Sequence, residues 1–381
     1  MKRFLLVGAL VALVCLGNAE AQTIKDLSAQ VGKGIQFKTE DDLFYLKFAT
    51  RIQTRWDFEN TLSNSQGPAD FVNKAWVKRA RIKFDGYFLN KSLVYKIEYD
   101  VAGGYVRDAI IKYKKNNCEL WFGQGKLPSN RERVVSSGDL QLVDRSVFNK
   151  YYTLDRDPGV QFHHKIKAGK AVFYDRWAVT AGNGIRDNEF SPGISLTGKI
   201  EALPLGEFKS KGAYKMADLS REETPKIAFA AYANYNVDAN KDRGQLGDLI
   251  YGEADLLNFG GDFLFKYRGY SFMIEAAKRL VTDDNEFVYD DLGEIEAAYY
   301  TGYGANVQTG YVFKNNWELS GRYSFTKPNE TAFHSEITDY TVGISKYIIG
   351  HKFKFQGDVT FRDRLNKQDK IITRLQMEFQ F

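Results

Sequence analysis

The chain is 381 residues long and carries 53 Lys and Arg against 48 Asp and Glu, a formal net charge of +5. Aromatics reach 15%, with 23 Tyr and 28 Phe, while Pro numbers 7, Cys 2, and mean hydropathy is −0.41. One apolar run at the start and none later excludes helical membrane spans, and two cysteines exclude a disulfide framework.

Lys2 and Arg3 precede an apolar run from Phe4 to Gly17, and Ala19-Glu20-Ala21 supplies a small-residue cleavage pattern. At about fourteen residues the run is shorter than the eighteen or so of a spanning helix, so residues 1–21 read as a cleaved secretory signal. Cys15 lies inside it behind Ala12-Leu13-Val14, and Val14 makes this a poor lipidation box. Cleavage takes the net charge to +4 and leaves Cys118 alone, so no intramolecular disulfide is possible and an inert thiol is expected. A secreted chain without a disulfide needs a large core or a continuous hydrogen-bonded sheet.

Residues 22–42 form a short lead-in with a brief strand near Gly34–Lys38, too little chain for a plug domain. From 43 to 381 period-two alternation marks about sixteen strands. They lie near 43–57, 71–88, 92–102, 105–115, 117–126, 157–167, 170–182 and 194–204 in the first half. The second half has 226–237, 255–268, 270–280, 299–313, 316–326, 334–348, 351–364 and 368–381. In the first of these Leu46, Phe48, Ile52 and Trp56 alternate with Lys47, Arg51, Gln53 and Arg55. In the last, Ile371, Leu375, Met377, Phe379 and Phe381 alternate with Arg374, Gln376, Glu378 and Gln380. Asn90-Lys91, Gly103-Gly104, Asn116-Asn117, Gly169, Asn315-Asn316 and Gly350 punctuate them, and Gly260-Gly261 reads as a bulge pair. No segment shows a 3.6-residue period, and no linker divides the chain.

Strands of ten to sixteen residues exceed the five or six usual in a soluble sandwich and suit tilted bilayer crossings. Hydrocarbon admits a sheet only as a closed barrel, with apolar side chains toward lipid and polar ones toward a wet lumen. The expectation is therefore an all-β, single-domain, transmembrane antiparallel β-barrel of about sixteen strands, wide enough for an aqueous channel. The aromatic final residue resembles the insertion signal of outer-membrane barrels.

The stretch from Asp41 to Val160 resembles the phosphate-selective porin O and P family of Gram-negative outer membranes. The likeness rests on "LKFATRIQTRWDF" (46–58), "VKRARIKFDGYF" (77–88), "YKIEYDVA" (95–102) and "VRDAIIKY" (106–113), in that order. "LWFGQGKLP" (120–128), "VDRSVF" (143–148) and "DRDPGVQF" (155–162) follow, and the final strand agrees as well. Between about 180 and 300 only barrel periodicity matches. The resemblance implies sixteen strands, a homotrimer, both chain ends in the periplasm with 22–42 a periplasmic segment, and a preference for anions. It also implies that residues 127–156 fold into the pore as a constriction loop, bringing Arg131, Arg133, Arg145 and Lys150 with them.

Lumen parity gives Lys47, Arg51, Arg55, Arg79, Arg81 and Lys83 as pore-lining cations, followed by Lys96, Glu98 and Asp100. Cations in a narrow channel with low-dielectric walls raise the local anion concentration, and an arginine fork suits phosphate or carboxylate. The same parity puts Trp76, Ala80, Ile82 and Phe84 toward lipid or a neighbouring subunit and Lys78 at an interface. The mixed charges favour a general anion-leaning pore over phosphate specificity. The expected function is passive diffusion of small hydrophilic solutes with an anion bias, phosphate among them, through a channel in outer-membrane lipid. A barrel enzyme acting on lipid or envelope polymer, and a closed structural or adhesive barrel, are the alternatives.

Chemistry beyond transport finds little footing. His163 and His164 point to opposite faces of one strand and cannot share a metal, and His334-Ser335-Glu336 cannot form a relay. The acidic pairs Asp283-Asp284 and Asp290-Asp291 read as solvated loop charge. No catalytic residue, metal site, cofactor or nucleic-acid partner is expected; the secretory signal and the apolar parity oppose a nucleic-acid patch.

Overall fold

The computed structural model describes residues 24–30, 32–185, 193–283, 285–331 and 333–381. The signal-peptide expectation lies outside them. In chain order the strands begin with β1 (Ile24–Gln30), β2 (Gly34–Thr39), β3 (Phe44–Thr61), β4 (Asp70–Phe88) and β5 (Asn90–Asp100). Next are β6 (Tyr105–Lys115), β7 (Cys118–Lys126), β8 (Arg156–Ala168), β9 (Ala171–Thr180) and β10 (Ser195–Leu203). Then come β11 (Lys226–Lys241), β12 (Leu249–Tyr267), β13 (Tyr270–Val281) and the small pair β14 (Phe287–Tyr289) and β15 (Ile295–Ala298). The chain ends with β16 (Gly302–Val312), β17 (Trp317–Pro328), β18 (Ile337–Tyr347), β19 (Phe353–Arg364) and β20 (Lys370–Gln380).

β3 to β13 and β16 to β20 are sixteen antiparallel neighbours in one sheet, as the alternation predicts. Closure is made by β20 against β3, from Lys370 opposite Thr61 to Gln380 opposite Arg51. Thr50 and Phe381 exchange two backbone N–H···O bonds of 2.9 and 3.0 Å, so the last residue is tied into the ladder. β1 and β2 form a hairpin whose second strand lies along the start of β3, Ile35 opposite Phe48. The rim with the chain ends has turns of a few residues apart from 204–225; the far rim carries the longer loops, including 127–155.

The barrel is inverted relative to a soluble domain. Val342 is 64% exposed while its neighbour Thr341 is 2% exposed, and the same alternation runs around the wall. Outward residues such as Ile200, Phe122, Leu319 and Leu375 are exposed, whereas Gln53, Glu201, Lys266 and Lys354 are buried inside. This is the division that lipid outside and polar contents inside require.

One strand departs from simple parity. In the β3–β4 ladder Gln53 faces Arg79 but Thr54 faces Val77, so Lys78 is an extra residue in a bulge. Every residue before it changes face. Trp76, expected toward lipid, instead has its indole N–H donating to Asp57 Oδ2 (3.1 Å), with the Lys74 and Lys78 ammonium groups 4.0 and 4.5 Å from its ring. Lys78, expected at a lipid interface, lies 3.8 Å from Asp144 of an inward loop. Ala80, Ile82 and Phe84, beyond the bulge, keep the expected parity opposite Arg79, Arg81 and Lys83.

The absence of helical periodicity holds for the wall but not for the loop 127–155, which contains two short helices, α1 (Arg131–Val134) and α2 (Val147–Tyr152). Ser146 caps α2 by accepting from Asn149 N–H. A tight 3₁₀ turn spans Lys209–Tyr214 in the segment 204–225. Both segments enter the barrel, from opposite rims, and meet. Val135 and Leu140 of one pack with Phe208, Ala213 and Met216 of the other and with Leu264 and Met273 of the wall. Met216 N–H donates to Asp139 O at 3.0 Å across the junction.

Candidate functional site

The loop 127–155 crosses the lumen and is fixed to most of the wall it passes. Arg131 is 1% exposed, with Nε 2.6 Å from Asp262, an N–H 2.9 Å from Glu201 and another on Ala213 O (2.9 Å). Its charge is consumed in anchoring the loop to β10 and β12. Arg51 of β3 donates to Ser136 Oγ (3.2 Å) and Ser137 Oγ (2.8 Å). Gly138 passes so close that a Cβ there meets Gln380 Nε2, Arg51 and Glu378 Oε1 within 2.6–2.7 Å. Gln141 reaches Glu318 (2.6 Å) and Ser271 (2.7 Å), and Val143 N–H reaches Asp358 (2.9 Å).

Asp144 then turns back to β3 and β4. It accepts from Arg55 at 2.6 Å and lies 3.6 Å from Arg79, which also donates to Gln53 Oε1 (2.9 Å). Burial works to raise the Asp144 carboxyl, but Arg79, Lys78 and Arg55 outweigh it and hold it well below the usual carboxylate range. Lys47, near the rim of the chain ends, is half-buried and sits opposite Gln36 and Asp85. Lys150 is exposed at the end of α2, 4.9 Å over the Tyr151 ring.

Between the loop and the wall from β4 to β10 a cavity of about 1180 Å³ remains, closed on one side by residues 207–214. Of the sequence-expected cations, Arg81, Lys83, Arg133 and Arg145 line it, and Lys47, Arg51, Arg55, Arg79, Arg131 and Lys150 do not. Arg81 pairs with Glu98 (2.9 Å) and Asp100 (3.2 Å), and Lys83 lies 3.6 Å from Glu98. Arg133 is clamped on Asp155, whereas Arg145 spends its donors on the carbonyls of Glu132 (3.0 Å) and Val135 (2.8 Å). Lys126 joins that carbonyl cluster, donating to Arg133 O, Val134 O and Val135 O at 2.9–3.2 Å. It neutralises the C-terminal end of α1, where cations are favoured.

Eleven further cations on the cavity wall complete a lining of fifteen Lys and Arg against four carboxylates, Glu98, Asp108, Glu119 and Glu207. The largest group that cluster-spotting misses is on β6, β8 and β9: Lys112, Lys114, Lys165, Lys167 and Arg176. A parity signal for them exists, since Lys112 and Lys114 alternate with Ile111 and Tyr113, and Lys165 and Lys167 flank Ile166. They are spread over three strands and form no run in sequence, which is why attention to "VKRARIK" passes over them.

The profile of the phosphate-selective porin O and P family matches residues 48–381. An uncharacterised protein of Aquifex aeolicus (strain VF5) is 23% identical over 430 aligned residues covering the whole of both chains. Among solved structures, the anion-selective porin of Comamonas acidovorans aligns with a TM-score of 0.54 at 11% identity, covering 89% of this chain and 100% of that one. The outer-membrane channel DcaP of Acinetobacter baumannii gives 0.53 at 12% identity over 91% of this chain and 100% of its own. In-vitro-folded OmpT of Vibrio cholerae gives 0.53 at 13%, over 93% and 100%. With the profile spanning nearly all of the barrel, the chain belongs to the phosphate-selective porin O and P family and is a porin of the Gram-negative outer membrane.

Proposed function

We propose that this porin passes small hydrophilic anions by diffusion through the cavity between the loop 127–155 and the wall from β4 to β10. The observation that carries the reading is the cavity lining of fifteen cations against four carboxylates. Several of those cations lack a carboxylate partner among the described residues, so their field acts on the channel water rather than on a neighbouring side chain. In a low-dielectric wall such a field concentrates anions and weakens as salt screens it. The Comamonas acidovorans structure of similar fold is titled an anion-selective porin, in keeping with this direction.

Within that reading, residues 127–155 act as the constriction, and Arg81, Lys83, Arg133 and Arg145 act directly on solutes. Arg51, Arg55 and Arg79 act by holding the loop. Lys47, Arg131 and Lys150 take no part in solute contact. The channel performs no reaction, and a trimer is the working assembly; a Vibrio cholerae OmpT structure of similar fold is described as a trimer form. Swelling of liposomes containing the purified protein tests the reading with solutes of equal size and opposite charge. Gluconate should enter faster than a cationic amino sugar such as glucosamine. Equal rates, or faster entry of the cation, contradict it.

A further inference from the structure

One part of the cavity wall has a composition that simple anion attraction does not require. Lys112 of β6 places its ammonium 3.4 Å from the centroid of Trp121 on β7. His163 of β8 stacks on the same indole, with centroids 4.1 Å apart and planes 15° apart. The indole cannot turn away, because its N–H donates to Glu119 Oε2 at 2.8 Å. Beyond His163 in the wall, Arg176 sits 4.8 Å from the Tyr174 ring and 5.8 Å from the Tyr214 ring. All seven side chains line the cavity.

Among the described residues no carboxylate forms an ion pair with Lys112 within 4.0 Å; it lies on the indole face, with Glu119 held at the indole N–H nearby. A cation held on an aromatic face gains part of its attraction from the ring without forming a contact ion pair. With Lys112 over one face of the indole and His163 on the other, the band offers a positive charge beside aromatic edges rather than an open ring face. A compact inorganic anion uses only the charge. An anion carrying a flat ring uses both, since aromatic contacts add to what burial alone supplies.

Resting on the anion-channel reading above, we infer that this band makes the channel select anionic groups attached to a flat unsaturated ring over compact anions. Lys112 takes the charge, and the cavity-facing edges of the Trp121–His163 stack, with Tyr174 and Tyr214, take the ring.

The test is block of chloride current through the full-length protein in planar bilayers by four probes: benzoate, acetate, phenyl phosphate and inorganic phosphate. Benzoate should half-block at about a threefold to tenfold lower concentration than acetate, and phenyl phosphate likewise relative to phosphate. Comparing the two ring-bearing probes separates a carboxylate headgroup from a phosphate one. Trp121→Leu and His163→Leu should each bring the benzoate-to-acetate ratio toward one while KCl conductance persists, and Lys112→Gln should weaken all four probes. Should Trp121→Leu fail to insert, His163→Leu and the wild-type ratio still decide. Equal potency of benzoate and acetate on the wild type, or a ratio unchanged in both variants, overturns the inference while leaving anion selectivity standing. A wild-type channel with no anion preference in KCl overturns the underlying reading instead.

Discussion

At the residue scale, the cations of the lumen divide by what they hold. Arg55 and Arg79 pair with Asp144, Arg55 with Asp57 as well, whereas Arg145 and Lys126 donate to carbonyl oxygens. Replacing Asp144 with Asn takes that carboxylate from Arg79 and Lys78 and leaves Arg55 with Asp57 alone. The anion-to-cation permeability ratio should rise roughly twofold to threefold at 0.1 M KCl and less at 1 M, as screening requires. Zero-current potentials read this directly, and a fall in the ratio contradicts it. The pH response follows from the depressed Asp144 carboxyl. A carboxylate whose folded pKa lies below its unfolded value near 3.9 stabilises fully above that value and loses the contribution only as pH falls through the lower one. The loop clasp should therefore survive from pH 7 to pH 4, with single-channel conductance steps unchanged in number and shape over that range. New sub-conductance levels appearing near pH 5 contradict the clasp.

At the element scale, the two inward segments decide how much of the barrel stays open. Arg131 fixes α1 by pairing with Glu201 and Asp262, all fully buried. Arg131→Met removes the cation that Glu201 and Asp262 share and leaves Glu201 with Arg176 and Asp262 with Lys199. The loss should therefore stay below the cost of about 3–5 kcal/mol for a buried charge left with no partner. Urea unfolding of the liposome-inserted protein should show this loss, and bilayer currents should become noisy as the loop loosens. A second prediction concerns 204–225, whose carbonyls at Gly212, Lys215 and Ala217 are held by Lys266 at 2.8–2.9 Å. Replacing residues 206–223 with a short turn should raise single-channel conductance while anion preference persists, because the cationic wall from β4 to β9 is untouched. Conductance equal to the wild type sinks this picture.

The elements also show what was legible beforehand. All sixteen barrel strands follow from alternation, because lipid and water impose a period of two on every strand they share. The Lys78 bulge does not follow, since one inserted residue changes faces without changing residue types. Nor does the inward course of 204–225. Its burial depends on Val135 and Leu140, some seventy residues away in the chain. Arg131 and Arg145 look alike in sequence; only the placement of Glu201 and Asp262 on distant strands makes one an anchor and leaves the other on the cavity wall.

At the scale of the whole molecule, the protein is a wall between two solvents, and adjacent residues answer to different ones. Val342→Lys puts a charge on the lipid face and should destabilise the inserted barrel by about 2–4 kcal/mol if the site lies near the bilayer midplane. Thr341→Lys, one residue away and inside, should cost less and shift selectivity instead; unfolding in urea ranks the two, and equal losses contradict the two-solvent wall. The central claim is that the open half of the lumen is an anion-attracting path. Its most direct test is the zero-current potential of the purified protein in a planar bilayer across a tenfold KCl gradient at low ionic strength. The account predicts a potential of the sign set by chloride, shrinking as both sides are made more concentrated. A potential of the sign set by potassium contradicts it.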